Sequence, residues 1–297
     1  FMGTSTGTLL VEDDFALEQI FEHCPVTIVT HCEDNETIKI NSDKINSENK
    51  ELDASFHPII RNDTCCYKSS SKVIELAKKY SSDLHVLHLT TEKEIELFEN
   101  IDLQNKKITC EVCVHHLWFD DTDYAKLGNL IVCNPAIKKE SDKNALRKAL
   151  KDGYIDYVAT DHAPHSLEDK KLPYGNAPAG IPLIEHSFHM MIELYKQGFY
   201  SLNEVVSYMS HKVADRFCIK DRGYVREGYK ADLMIFDLDK KTLVENKTEK
   251  TKCGWTPFHG QTFNSSVLGT IVNGKLIVTN GSLVADFSSA EKIYFDR

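Results

Sequence analysis

The sequence lacks any long apolar run, which excludes a membrane-spanning segment. No stretch of its 297 residues approaches the ~20 apolar residues that cross a bilayer, and no secretory signal pattern opens the chain. Basic residues are also in deficit, with 35 Lys and Arg against 45 Asp and Glu and a formal net charge of -10. Because binding to a phosphate backbone needs basic patches, we expect no nucleic acid and no membrane among the partners.

A second cysteine pair at C-x-x-C spacing is also missing, which argues against a zinc ribbon. The nine cysteines are scattered and odd in number, and only Cys110 and Cys113 form a C-x-x-C pair, within a strand-like run. Scattered cysteines in apolar strand-like runs favour buried thiols over a disulfide framework. The sequence therefore predicts a soluble protein of a reducing, cytoplasmic compartment.

Strand-like and helix-like runs alternate from the start of the chain to about residue 200, which is typical of parallel βα units. The predicted strands cover residues 26–31, 84–89, 107–115 and 154–160. The predicted helices cover residues 12–23, 68–80, 91–99 and 141–152, with two more near 183–197 and 202–217. A long polar loop is expected after the first strand, up to Asn49.

The pattern changes after about residue 224 to short strands joined by tight turns. Asn273-Gly274 lies between apolar runs, which is the strongest short signal for a β-hairpin, and Asn280-Gly281 repeats it. We therefore predict two domains, with parallel βα units in residues 1–223 and a small β domain in residues 224–297.

Three predicted strands end in residues of the kind that bind metals, namely His31, His88 and Asp161. In a barrel of parallel strands the chemistry lies at the carboxyl ends of the strands, so these residues can converge there. Imidazole and carboxylate suit Zn²⁺, which lowers the pKa of bound water to about 7, and a nearby carboxylate can then move the proton. A single strand-end histidine is usually structural, so the prediction depends on all three in order.

The motifs around these residues resemble those of the amidohydrolase superfamily, specifically the dihydroorotases. The resemblance spans nearly all of the chain, and its most specific part is Asp161-His162-Ala163-Pro164-His165. The other matching stretches are His31-Cys32-Glu33-Asp34, Leu84-His85-Val86-Leu87-His88, Thr109-Cys110-Glu111-Val112 with His115-His116-Leu117, Asn134-Pro135, Asp152-Gly153-Tyr154-Ile155-Asp156, and Gly228-Tyr229-Lys230-Ala231-Asp232-Leu233.

This resemblance implies that residues 1–223 form part of a metal-dependent (β/α)8 TIM barrel, the catalytic domain, and that residues 224–297 form a small β-sandwich portion. It also implies catalysis of the reversible cyclisation of N-carbamoyl-L-aspartate to L-dihydroorotate in pyrimidine synthesis. By position, His31 and His88 match ligands of a second zinc, while Asp161 matches a ligand of the first zinc and the catalytic acid/base. Asn134 and His165 match contacts to the substrate carboxylate. The resemblance also implies a small-molecule substrate, a homodimer, and association with aspartate transcarbamoylase.

The sequence departs from the family at its beginning. The family's His-x-His pair and the carboxylated lysine that bridges two Zn²⁺ ions are not in this sequence. Residues 1–7 resemble the loop just after that lysine, and the βα region falls short of the roughly 250 residues of a complete barrel. We therefore expect the first three to four strands to be absent and the chain to be the carboxyl-terminal part of a longer protein.

Two other functions fit the same motifs. The first is a hydantoinase-like or allantoinase-like cyclic amidohydrolase, and the second is a non-catalytic amidohydrolase-like subunit that supports aspartate transcarbamoylase.

Several residues near the candidate ligands are interpreted as structural and not as catalytic or metal-binding. One of His115 and His116 is expected to be structural because adjacent strand residues face opposite ways. His162 is expected to orient its loop, and Arg61 is treated as structural.

Overall fold

The computed structural model of the chain describes residues 2, 10–11, 13–47, 51–284 and 289–296. Apart from residue 2, the opening segment 1–7 that resembles the family's post-lysine loop lies outside these residues. The chain divides into two compact units, of which the first comprises Phe1–Glu185 with Asn246–Pro257 and the second comprises His186–Glu245 with Phe258–Arg297. The predicted domain boundary between residues 223 and 224 stays a prediction.

A parallel sheet organises the first unit. Its four strands among the described residues pair in chain order. They are β1 (Ile28–Thr30), β2 (Leu84–Val86), β3 (Ile108–Cys113) and β4 (Tyr157–Ala159). Thr30 pairs with Val86, Val86 with Cys110, and Cys113 with Ala159, so the carboxyl ends share one edge of the sheet. The predicted succession of parallel βα units is confirmed.

Eight α-helices of the first unit fall within the described residues. They are α1 (Asp14–His23), α2 (Asn35–Ser47), α3 (His57–Ile60), α4 (Asp63–Tyr80), α5 (Glu92–Ile95), α6 (Tyr124–Leu127), α7 (Glu140–Asp152) and α8 (Leu167–Lys170). The long helix α4 begins after Asn62, whose side chain accepts a hydrogen bond from the Cys65 N–H, and it buries Val73, Ile74 and Ala77 on one face. Helices α4 and α7 confirm the periodic patterns that predicted them.

Helix α2 overturns the predicted polar loop up to Asn49. The side chain of Asp34 accepts hydrogen bonds from both the backbone N–H and the hydroxyl of Thr37, which satisfies donors at the start of the helix. Only Ile45 of this helix is buried. The prediction was wrong because the helix contributes one core side chain, which leaves almost no apolar periodicity in the sequence.

The segment after β3 also differs from its prediction. The strand was expected to continue to residue 115, but it ends at Cys113 and a 3₁₀ turn follows over Val114–Leu117. His115 and His116 lie on this turn and both are buried, with exposed fractions of 1% and 3%. Strand alternation therefore does not decide which way the two imidazoles face.

The second unit combines helices with two antiparallel sheets. Its α-helices among the described residues are α9 (Ser187–Lys196), α10 (Leu202–Val206) and α11 (Lys212–Arg216), and a π-helical turn over Ser207–His211 joins the last two. Its strands are β5 (Leu233–Asp237), β6 (Thr242–Leu243), β7 (Thr262–Phe263), β8 (Ser266–Val272), β9 (Lys275–Thr279) and β10 (Ser282–Leu283).

The larger sheet of this unit has the strand order β10-β9-β8-β5, and β6 pairs with β7 in the smaller one. Asn273-Gly274 connects β8 to β9 and Asn280-Gly281 connects β9 to β10, with positive φ at all four residues. Both predicted hairpins are confirmed. In the part of the chain described here, no helix is both long and apolar enough to cross a membrane.

Candidate active site at the carboxyl edge of the parallel sheet

Three predicted site residues lie just beyond the carboxyl ends of the parallel strands. His31 directly follows β1, His88 comes two residues after β2, and Asp161 comes two residues after β4. The Nδ1 atom of His31 lies 3.0 Å from the Nε2 atom of His88, and both side chains are buried, with exposed fractions of 1% and 6%. The structure therefore brings the two imidazoles into contact, while their role as metal ligands stays a prediction.

Two of these residues interrupt the extended backbone sharply. His88 has φ +37° and Asp161 has φ +45°, a left-handed conformation that is unfavourable for residues with a Cβ atom. Such conformations persist only where the surrounding structure imposes them, and they concentrate at functional sites. The sheet edge thus holds both residues in a conformation that the isolated chain would rarely adopt.

A buried carboxylate orients His31 from behind. Glu33 Oε2 lies 3.1 Å from His31 Nε2 and also pairs with the Arg61 guanidinium. Burial opposes ionisation of Glu33, but the charge of Arg61 and the hydrogen bond from His31 outweigh it and lower the pKa of Glu33 to about 2. The ionised carboxylate accepts the Nε2–H proton, so the lone pair of His31 is on Nδ1, which faces His88. Arg61, treated as structural from the sequence, supports this carboxylate.

These residues fit part of the metal centre that the resemblance implies. A histidine that donates its second N–H to a carboxylate is the usual arrangement of a metal ligand, and Glu33 and His31 form it. Burial and the neighbouring His31 lower the pKa of His88 well below its ordinary value, which keeps this imidazole neutral. Its Nδ1 is buried without a hydrogen-bond partner among the described residues. Two neutral imidazoles in contact suit one ion, and Asp161 offers a carboxylate on another strand.

Asp161 has the electrostatic setting of a group that exchanges protons. Solvent reaches this carboxylate, yet protein surrounds it closely enough that burial raises its pKa. The electrostatic interaction with His31 opposes this rise in pKa, and the negative charge of Glu111 adds to it. A carboxylate with a raised pKa holds a proton more readily at neutral pH, as a group that both accepts and donates a proton requires.

A second buried histidine positions Asn134. His57 Nε2 lies 2.9 Å from the Cys133 carbonyl oxygen and 3.2 Å from Asn134 Oδ1, while His57 Nδ1 lies 2.9 Å from the Tyr174 hydroxyl. Burial and the charge of Arg61 lower the pKa of His57 to about 4, so a neutral ring donates through Nε2 and accepts from Tyr174. With its oxygen engaged, Asn134 has its amide nitrogen as the remaining donor. No sequence motif pointed to His57 or Tyr174.

Lys170 links the backbone segments that carry Asn134 and His165. Its buried Nζ donates to the carbonyl oxygens of Val132, Pro178 and Gly180 at 3.2, 2.9 and 3.0 Å. His165 Nε2 lies 3.0 Å from the Ala179 carbonyl oxygen within the same strip of backbone. The two predicted substrate-binding segments are therefore anchored to residues 178–180.

His162 faces away from this strip toward the next part of the chain. Its Nδ1 accepts hydrogen bonds from the backbone N–H groups of Leu183 and Ile184, at 3.0 and 3.2 Å. These contacts agree with its interpretation as a residue that orients the loop.

The parallel sheet carries its polar residues at its carboxyl edge, an arrangement typical of α/β barrel enzymes, and comparison with known proteins specifies the family. The amidohydrolase family profile matches residues 16–277, so the chain belongs to the amidohydrolase family. A dihydroorotase of Lactobacillus acidophilus is 34% identical over 209 residues, covering 70% of this chain and 49% of that protein. A dihydroorotase of Bacillus subtilis is 31% identical over 258 residues, covering 86% of this chain and 59% of that protein.

Solved structures confirm the predicted TIM-barrel amidohydrolase fold. The L-hydantoinase (dihydropyrimidinase) of Arthrobacter aurescens superposes with a TM-score of 0.87 at 24% identity, covering 96% of this chain and 65% of that one. A D-hydantoinase of Thermus sp. gives a TM-score of 0.81, also at 24% identity, covering 92% of this chain and 62% of that one. The chain spans about half the length of the curated relatives it matches. Members of the family are metal-dependent.

Proposed function

We propose that this chain is part of a zinc-dependent dihydroorotase, which interconverts N-carbamoyl-L-aspartate and L-dihydroorotate in pyrimidine biosynthesis. The observation that carries the proposal is the contact of His31 Nδ1 with His88 Nε2 at the carboxyl edge of the sheet. The ordered motifs and the dihydroorotases at 29–35% identity support this substrate over others.

In this proposal His31 and His88 would hold one Zn²⁺ and Asp161 would hold the other, and the carboxylated lysine that the family resemblance implies is not in this sequence. The bound zinc would supply a Lewis acid for the ring amide carbonyl and lower the pKa of attacking water. Glu33 keeps His31 in the tautomer that leaves Nδ1 unprotonated.

The remaining roles belong to polar groups around the ring. Asp161 takes the proton lost on attack at the amide carbonyl and returns it to the leaving ring nitrogen. The amide nitrogen of Asn134 and the imidazole of His165 bind the substrate carboxylate. His57 supports Asn134 by donating to its amide oxygen.

Turnover of three ring substrates tests the substrate class. The naturally produced protein would be assayed with dihydroorotate, hydantoin and allantoin side by side, and ring closure would be followed with N-carbamoyl-L-aspartate. We expect the highest kcat/KM for dihydroorotate. A preference for hydantoin or allantoin would instead assign another cyclic amidohydrolase with the same fold.

The proposal includes a cytoplasmic homodimer that associates with aspartate transcarbamoylase. Purification of the native protein followed by sedimentation and identification of bound chains tests this part. Copurification with transcarbamoylase and no turnover of any ring substrate would favour the non-catalytic supporting subunit.

A further inference from the structure

A separate cluster of possible metal ligands lies where β3 ends. Cys113 is the last residue of the strand, and His115 and His116 lie on the 3₁₀ turn that follows. One ligand atom of each side chain lies within 4.8 Å of the ligand atoms of the other two, and all three residues are buried. The tight turn produces this clustering, because it brings residues two and three positions apart back to the end of the strand.

The imidazoles of this cluster have ring nitrogens without partners. Both ring nitrogens of His115 and the Nδ1 atom of His116 are buried with no hydrogen-bond partner among the residues described. Buried polar atoms are almost always satisfied, so three such nitrogens in one place require a reason. An ion that accepts one lone pair from each ring would account for His116 Nδ1 and one of the two His115 nitrogens.

The hydrogen bonding of His116 indicates which nitrogen would bind. Its Nε2 donates to the Pro135 carbonyl oxygen at 3.2 Å, which fixes the tautomer and leaves the lone pair on Nδ1. A histidine that donates one N–H to a backbone carbonyl is oriented in the way metal ligands usually are. Cys133 Sγ contacts the same carbonyl oxygen at 3.3 Å and therefore lies on the opposite side of the ring.

We propose that Cys113, His115 and His116 form a binding site for a divalent transition metal, with Zn²⁺ as the ion best suited to one sulfur and two nitrogen ligands. The site uses none of the residues assigned to the amidohydrolase reaction. In tetrahedral geometry, zinc bonds of about 2.3 Å to sulfur and 2.1 Å to nitrogen place the ligand atoms roughly 3.5 Å apart, so side-chain rotations that bring these atoms together by up to about 1.3 Å would close the cluster. Binding forms one metal–sulfur and two metal–nitrogen bonds, and the Cys113 thiol releases its proton to solvent.

Another buried group, Glu33 with Cys65 and Cys66, has comparable spacing but a different status. Glu33 already pairs with His31 and Arg61, and Cys65 Sγ donates to the Asn62 carbonyl oxygen at 2.9 Å. Because these ligand atoms already have partners, this group is a weaker candidate for a metal site than the cluster at the end of β3.

Cobalt titration of the metal-free full chain tests the site. Co²⁺ bound to a thiolate gives a near-ultraviolet charge-transfer band, and we expect this band to saturate in the wild type. Cys113→Ser should abolish it and lower the zinc content by one equivalent. The matched control is Cys110→Ser, which lies on the same strand and directs its thiol to the Tyr154 carbonyl oxygen, and it should keep the band.

Two further variants decide the remaining outcomes. His115→Gln should weaken Co²⁺ binding by about tenfold or more, and it provides the test if Cys113→Ser fails to fold. His31→Asn should keep the charge-transfer band even if it abolishes ring turnover. Failure of the proposed dihydroorotase activity can therefore be distinguished from failure of the proposed metal site. No band in the folded wild type, or a band that survives Cys113→Ser and is lost in Cys66→Ser, would overturn the proposal.

Discussion

At the residue scale, the pKa of Asp161 depends on its neighbour His31 as well as on its own burial. The imidazole of His31 lies between the Glu33 carboxylate and the ring of His88. The electrostatic interaction with His31 lowers the pKa of Asp161, while burial of the carboxylate raises it more strongly. The balance depends on Glu33 and Arg61, which hold His31 in place without contacting a substrate in the proposed reaction.

Replacing Asp161 with Asn should remove proton transfer while keeping the size of the side chain. We expect kcat for dihydroorotate hydrolysis to fall by about 100-fold or more, because an amide cannot carry the proton to the leaving nitrogen. Steady-state kinetics on the native-length protein measure the effect. Glu168→Gln, an exposed carboxylate seven residues on, is the matched control and should retain activity. Equal activity in both variants would remove Asp161 from the mechanism.

His57 should make the protein less stable in mild acid. Its pKa is about 4 in the folded chain and about 6.5 when unfolded, so the unfolded state binds the proton first as the pH falls. This contribution to stability is fully present above pH 6.5 and is lost as the pH falls from 6.5 to 4, and the loss at pH 5 amounts to about 2 kcal/mol.

Urea unfolding at pH 7.5 and pH 5 measures this effect in the wild type and in His57→Gln. The variant should lose about 2 kcal/mol less than the wild type between the two pH values. Parallel losses would show that His57 does not change its proton affinity on folding.

The residues predicted from sequence share a property that the missed ones lack. His31, His88 and Asp161 each end a strand-like run, so local sequence marks them. His57 acquires its role through contacts with Asn134 and Tyr174, the latter 117 residues away in sequence, and nothing near His57 reports such contacts. Glu33 lies in a recognised motif, but its function depends on Arg61, which follows 28 residues later.

Elements were predictable where burial imposes a period on the sequence. Helix α4 buries a regular apolar face, and the pattern predicted it. Helix α2 buries only Ile45, so polar composition suggested a loop. The strand-like composition of Cys113 and Val114 concealed the 3₁₀ turn, because neither residue signals a turn.

The Lys170 anchor is an element-scale feature, since one side chain joins three backbone segments. Lys170→Met should lower the free energy of unfolding by about 3 kcal/mol, because three buried carbonyl oxygens lose a charged donor. Chemical denaturation measures the loss, and the exposed neighbour Lys171→Met is the matched control. The same variant should raise KM for dihydroorotate as the Asn134 and His165 segments loosen. A cost no larger than that of Lys171→Met would show that the anchor is dispensable.

At the scale of the whole molecule, an exposed apolar side chain on β1 affects how copies of this 297-residue chain behave together. Among the described residues β1 is the edge strand of the parallel sheet, and Val29 in its middle is 47% exposed. An edge strand with an exposed apolar side chain is a site for pairing between chains, which a net charge of -10 opposes at neutral pH.

Self-association of the 297-residue chain should therefore increase as the pH approaches its isoelectric point of about 5.7. Val29→Lys should reduce it, because a charge on the edge strand opposes pairing. Sedimentation velocity across pH 5.7 to 8 measures the effect. Val225→Lys changes a valine that is 85% exposed and outside the strands, so it should reduce association less. Equal effects of the two substitutions would exclude the edge strand as the contact.

The left-handed backbone at His88 and Asp161 has a consequence for protein engineering. A procedure that chose amino acids only to stabilise this backbone would place Gly or Asn at both positions, since these residues adopt positive φ at lower cost. Its product would be more stable at the sheet edge and would lack both of these side chains. Positions 88 and 161 are thus where thermostabilisation of this chain and preservation of its chemistry require opposite choices.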